Sequence, residues 1–269
     1  MFPVKVLPRK EYERPEIQDA MKAEIEKFKS FNAFEEVHDV GQFNISIRWV
    51  VTEQKNDGKN QPYKARLCIR GDKERGKEYI RSDSPTASKE TLKVALIIAA
   101  NEGFEVKSGD IKSAFLQGAK LDREIFVKPP PEANSAGKLW KLLPGAYRIL
   151  DGGRLFYVKL AGKLQELGLH KVHSDGALFT YVKDGKLQGL VSCHVDDLIL
   201  AGNKRFQAEV EENSKNFSSS AKLSQNLLTI VGVLLSLTMM DLLNWTRMSI
   251  LTHLNKWKRL MVMMTGSCL

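Results

Sequence analysis

The spacing of apolar residues along the first part of the chain changes from helical to extended. From Pro15 to Phe34 apolar residues recur every three or four positions among charged ones, which predicts an amphipathic helix. The segments Phe43 to Val51 and Tyr63 to Gly71 are rich in β-forming residues and flank a turn signal at Lys55-Asn-Asp-Gly58. Two such segments around a turn predict a β-hairpin whose second strand is basic.

Helical and extended patterns alternate again in the middle of the chain. Glu90 to Glu102 is predicted to be a buried helix, with Ser88 as its N-cap. Phe104 to Asp110 alternates like a strand, so Asp110 is predicted at a strand end. Arg154 to Leu167 predicts a further helix, which Gly168 closes.

Two adjacent acidic residues interrupt an apolar segment later in the chain. Leu187 to Ala201 forms two apolar arms around Asp196 and Asp197, which predicts a hairpin with an acidic turn. An ordinary turn explains these residues, because Asp side chains hydrogen-bond the local backbone. A metal site is the alternative explanation, and it requires a third carboxylate, such as Asp110, to arrive from another strand end. The pattern alone leaves both interpretations open.

Composition narrows the class of protein and of partner. The net charge of +9 and the sequence pI of about 9.3 favour a polyanionic partner such as nucleic acid. Three scattered cysteines exclude a paired zinc motif and a disulfide scaffold and fit a reducing compartment. The N-terminus lacks a signal-peptide pattern, so an intracellular protein is expected. The apolar run Leu227 to Met240 is too short to cross a bilayer and predicts a buried strand or helix.

Several short motifs follow one another between residues 15 and 210. In chain order they are Arg48-Trp49-Val50, Lys55-Asn-Asp-Gly58, Tyr63-Lys-Ala-Arg-Leu67, Arg70-Gly71, Ser84-Pro85-Thr86, Gly109-Asp-Ile-Lys-Ser-Ala-Phe-Leu-Gln-Gly118, Glu124-Ile-Phe-Val-Lys-Pro-Pro130, Leu139-Trp-Lys-Leu-Leu143 and His194-Val-Asp-Asp197 before Leu198-Ile-Leu200. Together they resemble the reverse transcriptase of copia-type retrotransposon Pol polyproteins. The shared order makes the resemblance specific.

The resemblance implies an α+β fold, namely the fingers and palm of a right-hand polymerase with a small antiparallel palm sheet backed by helices. Residues 1–217 would form this region, with fingers over 15–100 and palm over 101–217. Residues 214–221 are polar enough to form a linker, and residues 218–269 would be a degenerate or truncated continuation. The implied activity is RNA-directed DNA polymerisation, in which a primer 3′-hydroxyl attacks a deoxynucleotide.

The resemblance also implies the residues of the catalytic site. Asp110, Asp196 and Asp197 would hold two Mg²⁺ ions, for which Mn²⁺ can substitute. Phe115 would pack beneath the sugar of the incoming nucleotide and exclude a 2′-hydroxyl. The alternative for Phe115 is a role in the hydrophobic core.

Three basic residues complete the implied site. Lys64, Arg66 and Arg70 would hold the triphosphate, because alternate residues of a strand project from one face and guanidinium groups fit phosphate oxygens. A solvated basic strand face is the alternative. The implied partners are an RNA or DNA template-primer and deoxynucleoside triphosphates, with no membrane. Integrase and ribonuclease H regions are expected to be absent from this chain, and the expected location is the cytoplasm, in virus-like particles, or the nucleus.

The chain departs from the family pattern at two places. His194 stands where an aromatic residue is usual, and Arg148 stands where a Tyr-Gly-Leu turn has its glycine. A side chain at position 148 would cost stability if the backbone there has a positive φ. These departures and the missing tail motifs favour a second hypothesis, a catalytically decayed remnant that binds nucleic acid. A third, a basic module unrelated to polymerases, requires Asp110 to lie far from Asp196 and Asp197.

Overall fold

The computed structural model of the chain describes residues 6–54, 62–217 and 222–224. Two compact units are present, one formed by Met1–Ser84 with Ser113–Lys159 and the other by Pro85–Lys112 with Leu160–Leu269. The main elements in chain order are α1 (Pro15–Ser30), β1 (Phe34–His38), β2 (Ile45–Glu53), β3 (Tyr63–Ile69), α2 (Lys89–Asn101), β4 (Glu105–Asp110), β5 (Phe126–Lys128), β6 (Lys138–Leu142), α3 (Gly152–Glu166), β7 (His170–Lys171), β8 (Leu178–Lys183), β9 (Lys186–His194), β10 (Asp197–Gly202), α4 (Lys204–Phe217) and β11 (Lys222–Ser224). Helices combined with largely antiparallel sheets confirm the predicted α+β class.

The first unit contains a five-stranded sheet in the order β1-β6-β5-β2-β3. Its β2 and β3 pair antiparallel, which confirms the predicted hairpin, while the predicted turn at 55–58 lies outside the described residues. The predicted amphipathic helix is α1, whose Ile17, Met21 and Phe28 are fully buried. This apolar stripe buries one face of the β2–β3 pair and leaves the other face for polar side chains.

The second unit contains an antiparallel sheet in the order β11-β4-β10-β9-β8-β7. Helix α2 packs Ala95 and Ile98 against Leu190 and Ala201 of this sheet. The Ser88 side chain accepts a hydrogen bond from the Thr91 amide, which confirms the predicted N-cap. A small antiparallel sheet backed by helices is therefore present.

Some local predictions need correction. The acidic turn consists of Val195 and Asp196, because Asp197 already pairs as the first residue of β10. Residues 214–217 of the predicted linker belong to α4. The elements that were not predicted are β1, β5, β6, β7, β8, β11 and α4. The Leu227 to Met240 segment and most of the predicted continuation over 218–269 lie outside the described residues. Across the described ranges, no helix is long and apolar enough to cross a membrane.

Candidate functional site

Two aspartates meet across neighbouring strands of the second unit. Asp110, the last residue of β4, pairs directly with Asp197 of β10, and Asp197 pairs on its other side with His194 of β9. Directly paired residues point to the same sheet face, so the two carboxylates and the imidazole share one end of one face. The hypothesis of an unrelated basic module required Asp110 to be remote, and this register contradicts it.

The turn between these strands has an uncommon backbone conformation. The turn consists of Val195 and Asp196, and Val195, its first residue, has a positive φ of 59°. A turn with positive φ at its first central position normally contains glycine there, and a β-branched residue at positive φ is strained. The Ile111 amide donates a hydrogen bond of 3.0 Å to the Asp196 carbonyl, so residues next to Asp110 hold the turn in place.

The three carboxylates influence one another electrostatically. The pKa of Asp197 is raised, first by its partial burial and then by the negative charges of Asp196 and Asp110, while His194 acts in the opposite direction. A raised carboxyl pKa means that the ionised form is disfavoured in the folded protein. A bound cation would relieve this repulsion.

The carboxylates of Asp110, Asp196 and Asp197 are suitable ligands for magnesium, although these side chains do not form a closed cluster. Within residues 6–54, 62–217 and 222–224, no three His, Cys, Asp or Glu side chains converge into a ready metal site. Magnesium prefers carboxylate oxygens, uses few of them, and keeps waters or substrate phosphates in its other positions. Asp110 and Asp197 are both exposed, so a cation can reach their carboxylates from solvent.

The acidic end of the sheet opens onto a groove. This groove has a volume of about 480 Å³ and is bounded by Ala87 and Leu92 beside the start of α2 and by Asp110, His194 and Asp197 from the sheet. Its lining is mainly apolar. The carboxylates therefore lie at an accessible surface and not in a closed interior.

The predicted basic residues occupy different settings in the first unit. Lys64 is exposed and Arg66 half-buried on one face of β3, while Ala65 and Leu67 are buried on the other, as predicted. Arg70 lies just beyond the end of β3, and its guanidinium group forms an ion pair of 3.0 Å with Asp72. Lys64 and Arg66 thus form the predicted row, and Arg70 is engaged locally.

Two further arginines lie beside Arg66. Arg48 lies opposite Cys68 across the β2–β3 register, and the positive charge of Arg148 lies close enough to Cys68 to favour its thiolate. This cluster was not predicted from the sequence, because it depends on the strand register and on a distant loop. Arg148 has a φ of 67°. The backbone at this position, where the family pattern has glycine, is therefore in the left-handed region, which strains a residue with a side chain.

Phe115 is held on more than one side within the first unit. It lies in a short 3-10 turn, Ala114–Gln117, after Ser113, whose φ is 56°. The ring packs edge-on against Tyr147 with centroids 5.8 Å apart, and a Cβ added to Gly152 would lie 3.5 Å from it. The ring is only half-buried, so it is a fixed but accessible surface and not a fully buried core residue.

Comparisons with known proteins agree on one group. A family model described as reverse transcriptase (RNA-dependent DNA polymerase) matches residues 33–263. The Pol polyprotein of transposon RE1 from Arabidopsis thaliana is 29% identical over 164 residues, covering 59% of this chain and 11% of the relative. That of transposon TNT 1-94 from Nicotiana tabacum is 26% identical over 199 residues, covering 72% and 15%.

A yeast polyprotein and one solved structure are also similar to the chain. The Gag-Pol polyprotein of transposon Ty1-DR4 from Saccharomyces cerevisiae is 26% identical over 179 residues, covering 66% of this chain and 10% of the relative. A foamy viral protease-reverse transcriptase solved with double-stranded DNA is similar with a TM-score of 0.41 and 13% identity, covering 83% and 33%. The chain spans roughly a tenth of the length of the polyproteins of RE1 and Ty1-DR4.

Proposed function

The chain belongs to the copia-type reverse transcriptase (RNA-dependent DNA polymerase) family, and on this basis we propose that it extends a DNA primer along a nucleic-acid template. The observation that supports the proposal most directly is the strand register that sets Asp110 against Asp197, with Asp196 in the adjoining turn. These residue positions are also those that the family motifs imply. The activities of the remainder of a polyprotein are not part of the proposal.

Asp110, Asp196 and Asp197 would hold divalent cations in this proposal. When bound, two magnesium ions would lower the barrier to attack by the primer hydroxyl and to departure of pyrophosphate. The protein contributes the carboxylate of Asp197 and the neighbouring negative charges of Asp196 and Asp110, which a cation would neutralise. The open groove beside them leaves space for a substrate to approach.

Residues of the first unit would bind the nucleotide substrate, a deoxynucleoside triphosphate. Lys64, Arg66 and Arg70 supply positive charge for phosphate oxygens, although Arg70 would have to share its guanidinium group with Asp72. Phe115 would select deoxyribose, because a ring fixed by Tyr147 and Gly152 cannot move aside for a 2′-hydroxyl.

Primer extension with matched charge variants tests the proposal. The purified chain is incubated with oligo(dT) annealed to poly(A), dTTP and Mg²⁺, and incorporation is followed over time. We expect Asp110→Asn and Asp197→Asn each to lower the rate by about a hundredfold or more, since each removes a charged metal ligand. Asp184→Asn is the control, because Asp184 is exposed in the β8–β9 turn at the other end of β9.

The outcomes separate the enzyme from a decayed remnant. The polymerase is supported if the Asp197→Asn variant loses nucleotide incorporation and the Asp184→Asn variant retains it. Binding of the template-primer without incorporation by the unaltered chain supports the remnant, for which the strained Arg148 in place of glycine is the favouring observation. Incorporation that survives both Asp110→Asn and Asp197→Asn would overturn the assignment of these residues.

A further inference from the structure

The outer face of the β2–β3 pair carries positive charge around one buried thiol. Arg48 of β2 lies directly opposite Cys68 of β3, and Arg66 lies two residues before Cys68 on the same face. Cys68 is only 4% exposed although it is on the polar face. Arg148 also lies near this thiol, and its positive charge favours the thiolate.

Arg148 reaches this position from a loop that is attached to the edge of the sheet. The Ile69 amide donates a hydrogen bond of 3.1 Å to the Tyr147 carbonyl, and a Cβ at Gly71 would lie only 2.5 Å from the Arg148 carbonyl oxygen. The loop therefore packs tightly where β3 ends, and the glycine at position 71 is needed for the approach. Arg148 adopts its left-handed backbone in this tightly packed setting.

The three guanidinium groups have no compensating carboxylate in the described parts of the chain. No ion pair joins Arg48, Arg66 or Arg148 to an acidic side chain among those residues, whereas Arg70, Arg81 and Arg123 each have one. All three charges favour the thiolate of Cys68, yet burial outweighs them and the pKa of the thiol is raised. The sulfur thus remains a neutral thiol at pH 7 and does not balance the arginines.

We propose that Arg48, Arg66 and Arg148 form a phosphate-binding site on the outer face of the β2–β3 pair. Like charges gathered without a counter-charge favour binding of an anion, and planar guanidinium groups match the oxygens of phosphate. Arg48 and Arg148 are exposed, so a large ligand can reach them. The site rests on the proposed function only for the source of the phosphate, which is either a nucleoside triphosphate or the backbone of a nucleic-acid strand.

Arg148→Gly is the informative variant, because it removes one cation and also relieves the left-handed backbone at that position. Loss of binding therefore cannot be attributed to unfolding if the unfolding temperature stays level or rises. Lys22→Gln on α1 is the matched control, since it removes one exposed positive charge from the same unit at a distance in sequence and on another element. Arg66→Gln tests a second member of the cluster.

Binding is measured by calorimetry without divalent metal, using inorganic pyrophosphate, dTTP and a twelve-nucleotide single-stranded DNA as separate probes. We expect Arg148→Gly and Arg66→Gln to weaken pyrophosphate binding by about tenfold or more, as for a lost charge-assisted contact, and Lys22→Gln to leave it unchanged. A matching loss for dTTP identifies the nucleotide as the source. A matching loss for the oligonucleotide, with a salt slope lower by about one, identifies the strand backbone.

The proposal is overturned if the unaltered chain binds none of the three probes, or if Arg148→Gly binds each of them as well as the unaltered chain does. It is also overturned if Lys22→Gln loses as much affinity as the cluster variants, because binding would then reflect net charge alone. None of these measurements depends on polymerisation. A chain that binds phosphate but incorporates no nucleotide would refute the polymerase and leave this site established.

Discussion

Arg123 holds together three separate segments of the first unit, and its removal should be costly. Its guanidinium group donates to both carboxylate oxygens of Asp151, at 2.7 and 2.9 Å, and its Nε donates to Glu74. The Asp151 and Glu74 side chains are 8% and 7% exposed, so both charges are almost removed from water. Arg123→Met would leave these two carboxylates buried without a cation.

The expected magnitude follows from this burial. Breaking a buried ion pair by removing one partner costs about 3–5 kcal/mol, whereas an exposed pair contributes about 0–1 kcal/mol. The Arg123 side chain is itself 25% exposed, so water reaches part of the network and the lower end, about 3 kcal/mol, applies. For a protein of this size that corresponds to a fall of about 6–12 °C in the unfolding temperature.

Thermal unfolding followed by circular dichroism measures this fall. Lys29→Met is the control, because Lys29 pairs with Glu26 at the exposed surface of α1 and should shift the midpoint by about 2 °C or less. A triple variant in which Arg123, Glu74 and Asp151 all become apolar should recover most of the stability, since no buried charge is then left unpaired. A shift for Arg123→Met no larger than that for Lys29→Met would refute the reasoning.

Three further predictions concern the second unit. Val195→Gly should raise the unfolding temperature by about 2–4 °C, because glycine accepts the φ of 59° without strain, and an unchanged or lower midpoint would contradict this. Gly202→Ala should destabilise by about 1–3 kcal/mol in a denaturant titration, because its Cβ would overlap the Phe206 ring, and adding Phe206→Leu should restore part of the loss. Asp197→Asn should raise the unfolding temperature at pH 7 by about 1–3 °C, since it removes a repelled charge. This advantage should disappear as the pH falls through the raised pKa of Asp197, because the native carboxyl then becomes protonated, and an advantage independent of pH would be inconsistent with it.

Helix α1, which has one buried face, was predictable from the sequence, and strand β8, which is buried on both faces, was not. The spacing of Ile17, Met21 and Phe28 defines α1 because its outer face is charged. In contrast, β8 has buried side chains at four successive positions, Leu178 to Tyr181, so no polar alternation marks it as a strand. The alternation of apolar and polar residues thus marks α1, and the absence of such alternation leaves β8 unmarked.

The acidic residues could be found from sequence, but their placement depended on register. Asp110 and the Asp196-Asp197 pair were predicted as one site from family motifs, whereas a one-residue error placed both members of the pair in the turn. The cluster of Arg48, Arg66 and Arg148 was beyond prediction, because the first two come together only through the β2–β3 register. Arg148 joins them through a loop contact to Gly71 that no local pattern encodes.

Backbone strain in the described residues is not distributed at random with respect to these sites. Of the non-glycine residues with positive φ, Asn32, Asn134 and Asp184 have side chains that tolerate the left-handed region, so ordinary turns explain them. The others are Ser113, Arg148 and Val195, whose side chains do not favour it. Ser113 precedes the turn that fixes Phe115, Arg148 lies near Cys68, and Val195 lies between His194 and Asp196. Strain of this kind persists only where surrounding contacts impose it, and each of these three turns lies next to a residue that the proposals above place in a binding site.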